Sequence, residues 1–538
     1  MIYSGLTLVS RFMGFLRDLV VGYKIGASAS AAGDAYNTAL AFPNLFRRIF
    51  AEGAFAAAFV PAYSKSLEAN GEEVADKLAA DAMATLAAAT IGITLIADLA
   101  MPWVMMAINP GYVHDKVKFE LAVTVTRWSM PYLPCMAIVA HLSGVLNARG
   151  RFILSAAAPT LLNLMMLAFI LPQQTSRDAA LWASYGTLAA GVAQAGLLTW
   201  GVRKSGAQVH WRLPTLTPEV KELIKLAIPG AIAASATQIN IFISGILASQ
   251  VNGARSWLAT ADRLYQLPLG LVGVAIGVAL LPRLSRAVHA GDKQGGQDAL
   301  DEALTFAMAL TLPAAVALFA MPMYLIDGLY TRGEFHTFDA QQTANALFFY
   351  GLGTPAFVLT RILAPAFFAR QDTASPMRFA LISVAVNIAA GLALFYWIGF
   401  QGIAAGTAIA SWLTVVQMLA ALARRGEFKL GAQAASRILR VALASAVMGA
   451  ALYAAQYFRF DYVQPLFDGF SIGFGGHKAI GPKEISLGVV SMLGGGLYLA
   501  LLFGTGAVKL SELKAAMKRG PKPVEDAMGK TPAGPDLL

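Results

Sequence analysis

The sequence predicts an all-α protein that crosses a membrane about fourteen times. Hydrophobic residues make up 57% of the 538-residue chain and charged residues only 13%, about half the charged share of a soluble globular domain. Apolar runs of about twenty residues recur along the chain, and a helix of that length crosses the hydrocarbon core of a bilayer. These runs are continuous rather than alternating, so they do not fit a membrane β-barrel.

The predicted spans follow one another with mostly short loops. In order, they cover residues 2–25, 34–62, 77–107, 121–147, 153–172, 179–201, 222–250, 256–282, 300–326, 341–368, 376–398, 402–423, 434–457 and 485–508. The two longest links are 202–221 and 458–484. The remainder, 509–538, is charged and contains four prolines, which predicts a disordered cytoplasmic tail.

Basic residues set the predicted orientation of these spans. With the N-terminus inside, the cytoplasmic loops hold about 19 Lys and Arg and the opposite loops about 9, as the positive-inside rule expects. Both termini are therefore predicted to be cytoplasmic. The same rule accounts for the net charge of +10 without nucleic acid as a partner. One cysteine, Cys135, and six scattered histidines provide no disulfide framework and no CxxC or HExxH metal motif.

An internal repeat predicts two lobes. Landmarks recur at a separation of roughly 220–225 residues: Pro43 with Pro268, Pro61 with Pro282, Met101-Pro102 with Met321-Pro322, Pro131 with Pro355, and Arg149 with Arg370. The repeated unit contains six spans, which predicts two parallel six-helix lobes around a central cavity, as in transporters. The predicted N-lobe is 1–202 and the predicted C-lobe is 203–424. Spans 13 and 14, within 425–508, lie outside the repeat.

Charged residues within the apolar spans are the candidate site. Each costs roughly 2.5 kcal/mol or more at the centre of a membrane helix. The C-lobe has Val272 and Gly273 where the N-lobe has Arg47 and Arg48, so folding alone does not require these charges. The candidates are Arg11, Arg17, Asp18, Asp34, Arg47, Arg48 and Glu52 in the N-lobe, and Asp262, Arg263 and Arg361 in the C-lobe.

Two explanations of these charges differ in what they require. Arg48 and Glu52 are four residues apart, so such pairs could fix helix packing without any ligand. The arginines exceed the carboxylates within their reach, however, and an unpaired cation is stable only in a wet cavity or against an anion. Arginine suits phosphate because its planar guanidinium donates bidentate hydrogen bonds. The candidate groups for a diphosphate or a similar polyanion are Arg11, Arg17, Arg47 and Arg263.

Five segments resemble the MurJ/MviN family of lipid II flippases, a branch of the multidrug/oligosaccharidyl-lipid/polysaccharide exporter superfamily. They are SRFMGFLRD (10–18), PNLFRRIFAEGAFAAAFVP (43–61), APTLLN (158–163), ADRLYQLPLG (261–270) and LAPAFFARQD (363–372). The resemblance covers the chain up to its tail. The FRRIFAEGAF block is highly specific, whereas the repeat and the topology alone would fit other branches of the superfamily.

The resemblance implies a lipid II flippase of the bacterial cytoplasmic (inner) membrane. It would move the undecaprenyl-diphosphate-linked peptidoglycan precursor from the inner to the outer leaflet by alternating access. By the same resemblance, Arg11, Arg17, Arg47 and Arg263 hold the diphosphate. Asp34 and Ser256 lie towards the outward gate, Glu52 contributes to gating within the cavity, and a basic residue matches Arg361. Asp18, Arg48 and Asp262 complete the gating or cavity candidates, and the last two helices form a groove for the polyprenyl tail.

No resident cofactor or metal is expected. Some family members bind sodium through carboxylates on the spans that match 222–250 and 376–398, where this sequence has Asn240 and Asn387. That difference argues against a sodium site of this kind. The membrane potential remains as a driving force, at about 2.3 kcal/mol per charge across 100 mV. Lipid II and membrane lipid are the expected partners, and cell-wall synthesis and division proteins are further candidates.

Two alternative functions stay open. Another exporter of the same superfamily would move a different lipid-linked oligosaccharide or a cationic drug, although a drug exporter should have an acidic cavity rather than an arginine-rich one. A membrane enzyme acting on a polyprenyl diphosphate would need a metal-binding carboxylate cluster or a histidine-based nucleophile. The scattered histidines do not supply the latter.

Overall fold

The computed structural model describes residues 2–47, 54–474 and 477–508. The helices of the predicted N-lobe are α1 (Ile2–Ile25), α2 (Ala32–Arg47), α3 (Ala54–Leu99), α4 (Met101–Ile108), α5 (Lys116–Ser129), α6 (Tyr132–Ala148), α7 (Ile153–Ile170) and α8 (Ser176–Lys204). Those of the predicted C-lobe are α9 (Pro218–Ala248), α10 (Ala254–His289), α11 (Lys293–Ala320), α12 (Pro322–Tyr330), α13 (Thr337–Phe368), α14 (Ala374–Ile398) and α15 (Gln401–Arg424).

The C-terminal pair consists of α16 (Ala432–Tyr457) and α17 (Pro482–Gly504). Between these two helices, strands β1 (Ile472–Phe474) and β2 (His477–Ile480) form a short antiparallel hairpin. The all-α class is confirmed, and the hairpin is a small departure from it, confined to a link between two helices.

Nine helical stretches among the described residues are long and apolar enough to cross a membrane. They do not include α1, which carries Arg11, Arg17, Asp18 and Lys24 within its apolar sequence. The side chains of residues 271–279 in α10 are not among those described, and the count of fourteen stays a prediction.

Helix breaks occupy similar places in the two predicted lobes. Helix α3 is interrupted at Gly71, whose φ of 83° is not helical. Pro102 is in the first turn of α4, directly after α3, and Pro322 is in the first turn of α12, directly after α11. Proline suits this position because its missing N–H would have no partner within the helix. The proposed match of Pro131 with Pro355 is less regular: Pro131 precedes α6, whereas Pro355 lies inside the continuous helix α13.

The start of α9 packs on the predicted N-lobe. Val220 and Leu223 belong to the same hydrophobic cluster as Ala79 and Met83 of α3. Just before α9, the backbone N–H of residue 208 donates to the Asp76 carboxylate at 2.6 Å. The packing therefore crosses the predicted lobe boundary at residue 203, and α9 contacts both halves of the molecule.

The C-terminal pair packs against α11 and α12. Val441 and Met448 of α16 share a buried cluster with Tyr324 of α12. The Tyr498 hydroxyl of α17 donates to the Ala309 carbonyl of α11 at 2.5 Å. These contacts attach α16 and α17 to the C-lobe, and the tail groove expected along them stays a prediction.

A buried arginine anchors the link between α16 and α17, and its loss should destabilise the fold. Arg459 is only 2% exposed, pairs with Asp327 of α12, and lies 4.4 Å from the ring centroid of Tyr324. We expect Arg459→Met to lower the free energy of unfolding by about 3 kcal/mol, because it leaves the Asp327 carboxylate without its cation.

Thermal unfolding of the protein in detergent measures the effect of Arg459→Met, with Arg177→Met as the exposed control. The double variant Arg459→Met/Asp327→Asn should recover much of the loss, since it removes both charges. Equal melting temperatures for Arg459→Met and the control would contradict the anchoring role.

Candidate substrate site and outer gate

Two helices from different lobes, α1 and α10, form the centre of the candidate site. Asp18 of α1 pairs with Arg263 of α10. Arg11, seven residues earlier on α1, contacts Gly270, seven residues later on α10. Residues seven apart lie on the same face of a helix, so the two helices run antiparallel and present these faces to each other.

Asp18 binds an arginine from each lobe. Its Oδ1 accepts hydrogen bonds from Arg17 Nε at 3.1 Å and from Arg17 Nη2 at 2.7 Å, and its Oδ2 lies 3.2 Å from Arg263 Nε. The Arg17 side chain is 9% exposed, whereas that of Arg263 is 49% exposed. The carboxylate therefore orients a buried cation on one side and an accessible cation on the other.

Asn163 of α7 completes the surroundings of Arg17. Its Oδ1 accepts from Arg17 Nη1 at 3.0 Å, and its Nδ2 donates to the Ser10 carbonyl at 3.1 Å. Sequence reasoning did not single out this residue as part of the site. The available signal was an amide side chain inside an otherwise apolar span, where a polar group needs a hydrogen-bond partner.

Arg11 is the second accessible cation of this region. It is exposed, and its Nη1 lies 2.1 Å from the point that a Cβ on Gly270 would occupy. The guanidinium is thus in direct contact with the backbone of α10. Only glycine leaves room for this approach without displacing the arginine.

The cluster carries a surplus of positive charge. Arg11, Arg17 and Arg263 supply three cations and Asp18 one carboxylate, which leaves two positive charges. Because Arg17 is buried and paired, the groups that an incoming anion meets first are Arg11 and Arg263. The arrangement can bind a dianionic group such as a diphosphate through charge-assisted hydrogen bonds.

The other predicted site residues lie elsewhere or beyond the described part of the chain. Asp262 accepts a hydrogen bond from Gln266 one turn along α10, and Arg361 is exposed on α13. Arg47 ends α2, and its side chain is not among those described. Arg48 and Glu52 fall within 48–53, outside the described residues.

Asp34 joins the lobes at one end of the interface between them. It is fully buried in the first turn of α2 and pairs with Lys118 of α5 at 2.9 Å. Across the interface it accepts from the backbone N–H groups of Gly253 at 2.8 Å and Ser256 at 3.2 Å, and from Ser256 Oγ at 3.1 Å. The N–H groups at the start of α10 thus bind a carboxylate of the opposite lobe. The positive end of the helix dipole favours this contact.

Arg255 makes a second connection at this end. From α10 it donates to Thr38 Oγ1 at 3.1 Å and to the side-chain oxygen of the buried Asn109. Asn37 Nδ2 donates in the other direction, to Ser256 Oγ at 3.1 Å. Lys118 and Arg255 both lie just outside the predicted spans. The sequence therefore indicated loop residues at these positions rather than site residues.

Asp339 makes a third connection at this end. Its Oδ1 accepts from the backbone N–H of Ser28 at 3.1 Å, from Ser28 Oγ at 2.5 Å and from Trp257 Nε1 at 2.8 Å. Residues of both predicted lobes therefore close this end of the molecule. We call the contacts of Asp34, Arg255 and Asp339 the outer gate, since the predicted topology places them on the external side.

Asn240 of α9 and Asn387 of α14 differ in environment. Asn387 is buried and accepts a hydrogen bond from Thr407 Oγ1 at 3.4 Å. Asn240 is half-buried, and its Oδ1 has no hydrogen-bond partner. Within the described ranges, no group of three His, Cys, Asp or Glu side chains could hold a metal ion.

Comparisons with known proteins identify relatives that cover nearly the whole chain. The family model described as "Lipid II flippase MurJ" matches residues 23–467. A protein of Rhizobium tropici named "Probable lipid II flippase MurJ" is 39% identical over 534 residues, which is 97% of each chain. One of Rhizobium meliloti (strain 1021), with the same name, is 37% identical and covers 96% of this chain and 95% of its own length.

A solved structure supports the same fold. It is titled "Lipid II flippase MurJ, inward closed conformation", and it aligns with a TM-score of 0.73 at 23% sequence identity. The alignment covers 93% of this chain and 97% of that one. At this identity the likeness is one of fold.

Proposed function

The chain belongs to the lipid II flippase MurJ family, and we propose that it is a lipid II flippase of the bacterial cytoplasmic membrane. It transports the lipid-linked precursor from the inner to the outer leaflet, with both termini in the cytoplasm, and catalyses no covalent change. The observation that carries the proposal is the carboxylate of Asp18 between Arg17 and Arg263. This cluster supplies surplus positive charge between two lobes, where an anionic headgroup has to cross.

The diphosphate binds first to the accessible cations. Arg11 and Arg263 donate hydrogen bonds to its oxygens, and a planar guanidinium binds such groups in a bidentate manner. The negative charge of the ligand competes with Asp18 for Arg263. Arg17 stays buried beside Asn163 and keeps Asp18 oriented, so its role is to position the carboxylate rather than to make the first contact.

Helix α10 connects this binding step to the outer gate. Ser256, Arg263 and Gly270 are spaced by seven residues, so they lie along one face of α10. Ser256 contacts Asp34 at the gate, and Arg263 contacts Asp18 at the binding cluster. A shift of α10 that accompanies binding at Arg263 therefore acts directly on the gate, which is the coupling that alternating access requires.

The membrane potential drives the cycle in this proposal. One elementary charge that crosses 100 mV changes the free energy by about 2.3 kcal/mol, and the charges of the cluster and its ligand move relative to the membrane. No sodium site takes part, in keeping with Asn240 and Asn387. Cell-wall synthesis and division proteins are the proposed protein partners.

The function is tested in cells depleted of their own flippase and supplied with this protein. The amount of lipid II accessible at the outer leaflet should be restored by the native chain and not by an equally abundant Arg263→Ala variant. Arg177→Ala, on the exposed start of α8, serves as the matched control and should restore it fully.

Two results would overturn the proposal in different ways. A correctly inserted native chain that exposes no lipid II would favour another lipid-linked oligosaccharide as cargo. Full activity of Arg263→Ala would leave lipid II as cargo but remove the arginine cluster from the mechanism.

Gly270 offers a milder test of the contact between α1 and α10. We expect Gly270→Ala to displace Arg11, since the added Cβ would lie 2.1 Å from Arg11 Nη1. Transport should fall by about tenfold, which corresponds to the loss of one charge-assisted hydrogen bond, while the melting temperature changes little. Gly488→Ala is the control, because a Cβ there meets nothing within 4 Å. Equal transport by both variants would contradict the proposed role of Arg11.

A further inference from the structure

A cavity of about 520 Å³ lies beside the outer end of α1. Its lining residues are Tyr23, Arg332, Gln464, Gly481, Pro482, Lys483 and Glu484. They come from three parts of the chain: the end of α1, the turn after α12, and the link into α17. Ligand sites commonly have volumes of about 300–1,000 Å³, so this cavity is large enough for a lipid headgroup.

The cavity has unused hydrogen-bonding capacity for an anion. Arg332 Nη2 donates to the Gly328 carbonyl at 3.1 Å and lies 3.2 Å from Glu484 Oε1, and Lys483 Nζ donates to the Thr331 carbonyl. Each of these two cations carries more N–H donors than these contacts use. Glu484 is the only carboxylate among the lining residues. The lining therefore keeps one net positive charge.

The chain next to this cavity is suited to the surface of a membrane. The link that follows α16 exposes several large aromatic side chains, namely Tyr457, Phe458, Phe460, Tyr462 and Phe470. Aromatic residues at the ends of membrane spans lie at the level of the lipid headgroups. The buried Arg459 holds this link in place and donates to Gln464, which also lines the cavity. The cavity thus opens at headgroup level.

We propose that this cavity binds the phosphate group of a phospholipid in the outer leaflet. Arg332 and Lys483 are the donors to the phosphate, and the aromatic link contacts the glycerol and upper acyl region. The site is separate from the cluster around Asp18, and the proposal does not depend on the transported substrate. Because Tyr23 belongs to α1 and Arg332 to the C-lobe, a bound lipid also bridges two lobes on the gated side.

Native mass spectrometry of the full-length protein in detergent tests the proposal. The probes are phosphatidylglycerol, diacylglycerol with the same acyl chains, and inorganic phosphate. We expect phosphatidylglycerol to remain bound and diacylglycerol to be lost. Arg332→Gln/Lys483→Gln should retain about a hundredfold less phosphatidylglycerol, in line with two lost charge-assisted contacts. The control Lys116→Gln/Arg177→Gln, which removes two exposed cations, should retain it fully.

Three results would overturn the proposal. Equal retention of diacylglycerol would show apolar binding without a phosphate contact. Displacement of the lipid by equimolar inorganic phosphate would indicate a site for soluble anions. Unchanged retention by the double variant would place the lipid elsewhere. If the double variant misfolds, the single variant Lys483→Gln tests the proposal, since it keeps the pair of Arg332 with Glu484. It should still weaken the retention of phosphatidylglycerol severalfold.

Discussion

Replacement of Lys118 by methionine is expected to open the outer gate. The Lys118 Nζ atom lies 2.9 Å from Asp34 of the same lobe, and both side chains are buried. It also donates to the side-chain oxygen of Asn252 in the other lobe, so its loss removes a contact across the gate. A hydrogen bond from a charged donor contributes about 1.5–3 kcal/mol, and we expect the upper end of this range because the buried Asp34 carboxylate also loses its cation. About 3 kcal/mol corresponds to a shift of roughly a hundredfold towards the open gate.

A cysteine behind the gate can report this shift. Ala41 lines a cavity of about 160 Å³ between the lobes together with Thr38 and Arg255. In a Cys135→Ser background, Ala41→Cys should react with a membrane-impermeant maleimide added outside the cell. Lys118→Met should accelerate this reaction by about a hundredfold, provided that the closed gate is what limits access.

Two further variants separate gating from general damage. Lys116→Met, two residues away, removes an exposed lysine whose contact with Glu120 is 3.9 Å long, and such surface pairs contribute little. Its labelling rate should equal that of the native gate. Lys118→Met/Asp34→Asn removes both buried charges and should close the gate again in part. Labelling of Lys118→Met at the native rate would exclude Lys118 as a determinant of closure.

The fold class could be predicted because its signals are local. Continuous apolar runs and the desolvation cost of charge are properties of short segments, and they indicated helices and the positions of Arg11, Arg17 and Arg263. The family resemblance is likewise confirmed by the relatives of this chain. The predicted spans 77–107 and 300–326, however, run through Pro102 and Pro322, where the structure ends one helix and begins the next.

The pairing of the charges could not be predicted, because it depends on which helices become neighbours. Arg17 had the same sequence signature as Arg11, yet it is buried between Asp18 and Asn163. Lys118 lies just before a predicted span, so it counted as one more basic loop residue. Its partner Asp34 is distant in sequence, and only the packing of α5 against α2 brings the two together.

Asp18 offers the most direct test of the binding cluster. Asp18→Asn leaves Arg17 buried with Asn163 and a neutral amide, without a carboxylate. We expect the free energy of unfolding to fall by about 3 kcal/mol, as for other buried pairs that lose one partner. Transport of lipid II should be lost, because Arg263 is no longer held opposite Arg17 at the interface between the lobes.

A second substitution distinguishes transport from packing. Arg17→Gln/Asp18→Asn removes both buried charges, and replacement of a complete buried pair is often neutral or stabilising. The double variant should therefore recover the melting temperature of the native protein in detergent. Lipid II exposure at the outer leaflet should stay as low as in the single variant. Asp178→Asn, at the exposed start of α8, controls for the loss of a carboxylate.

The two readouts together decide between the explanations that the sequence left open. If the charges serve only to fix helix packing, then the double variant that regains stability must also regain transport. If Asp18 and Arg17 act on the diphosphate through Arg263, stability returns and transport does not. We expect the second outcome. The Arg263 side chain is half exposed, so the packing of the two lobes does not require its pair with Asp18.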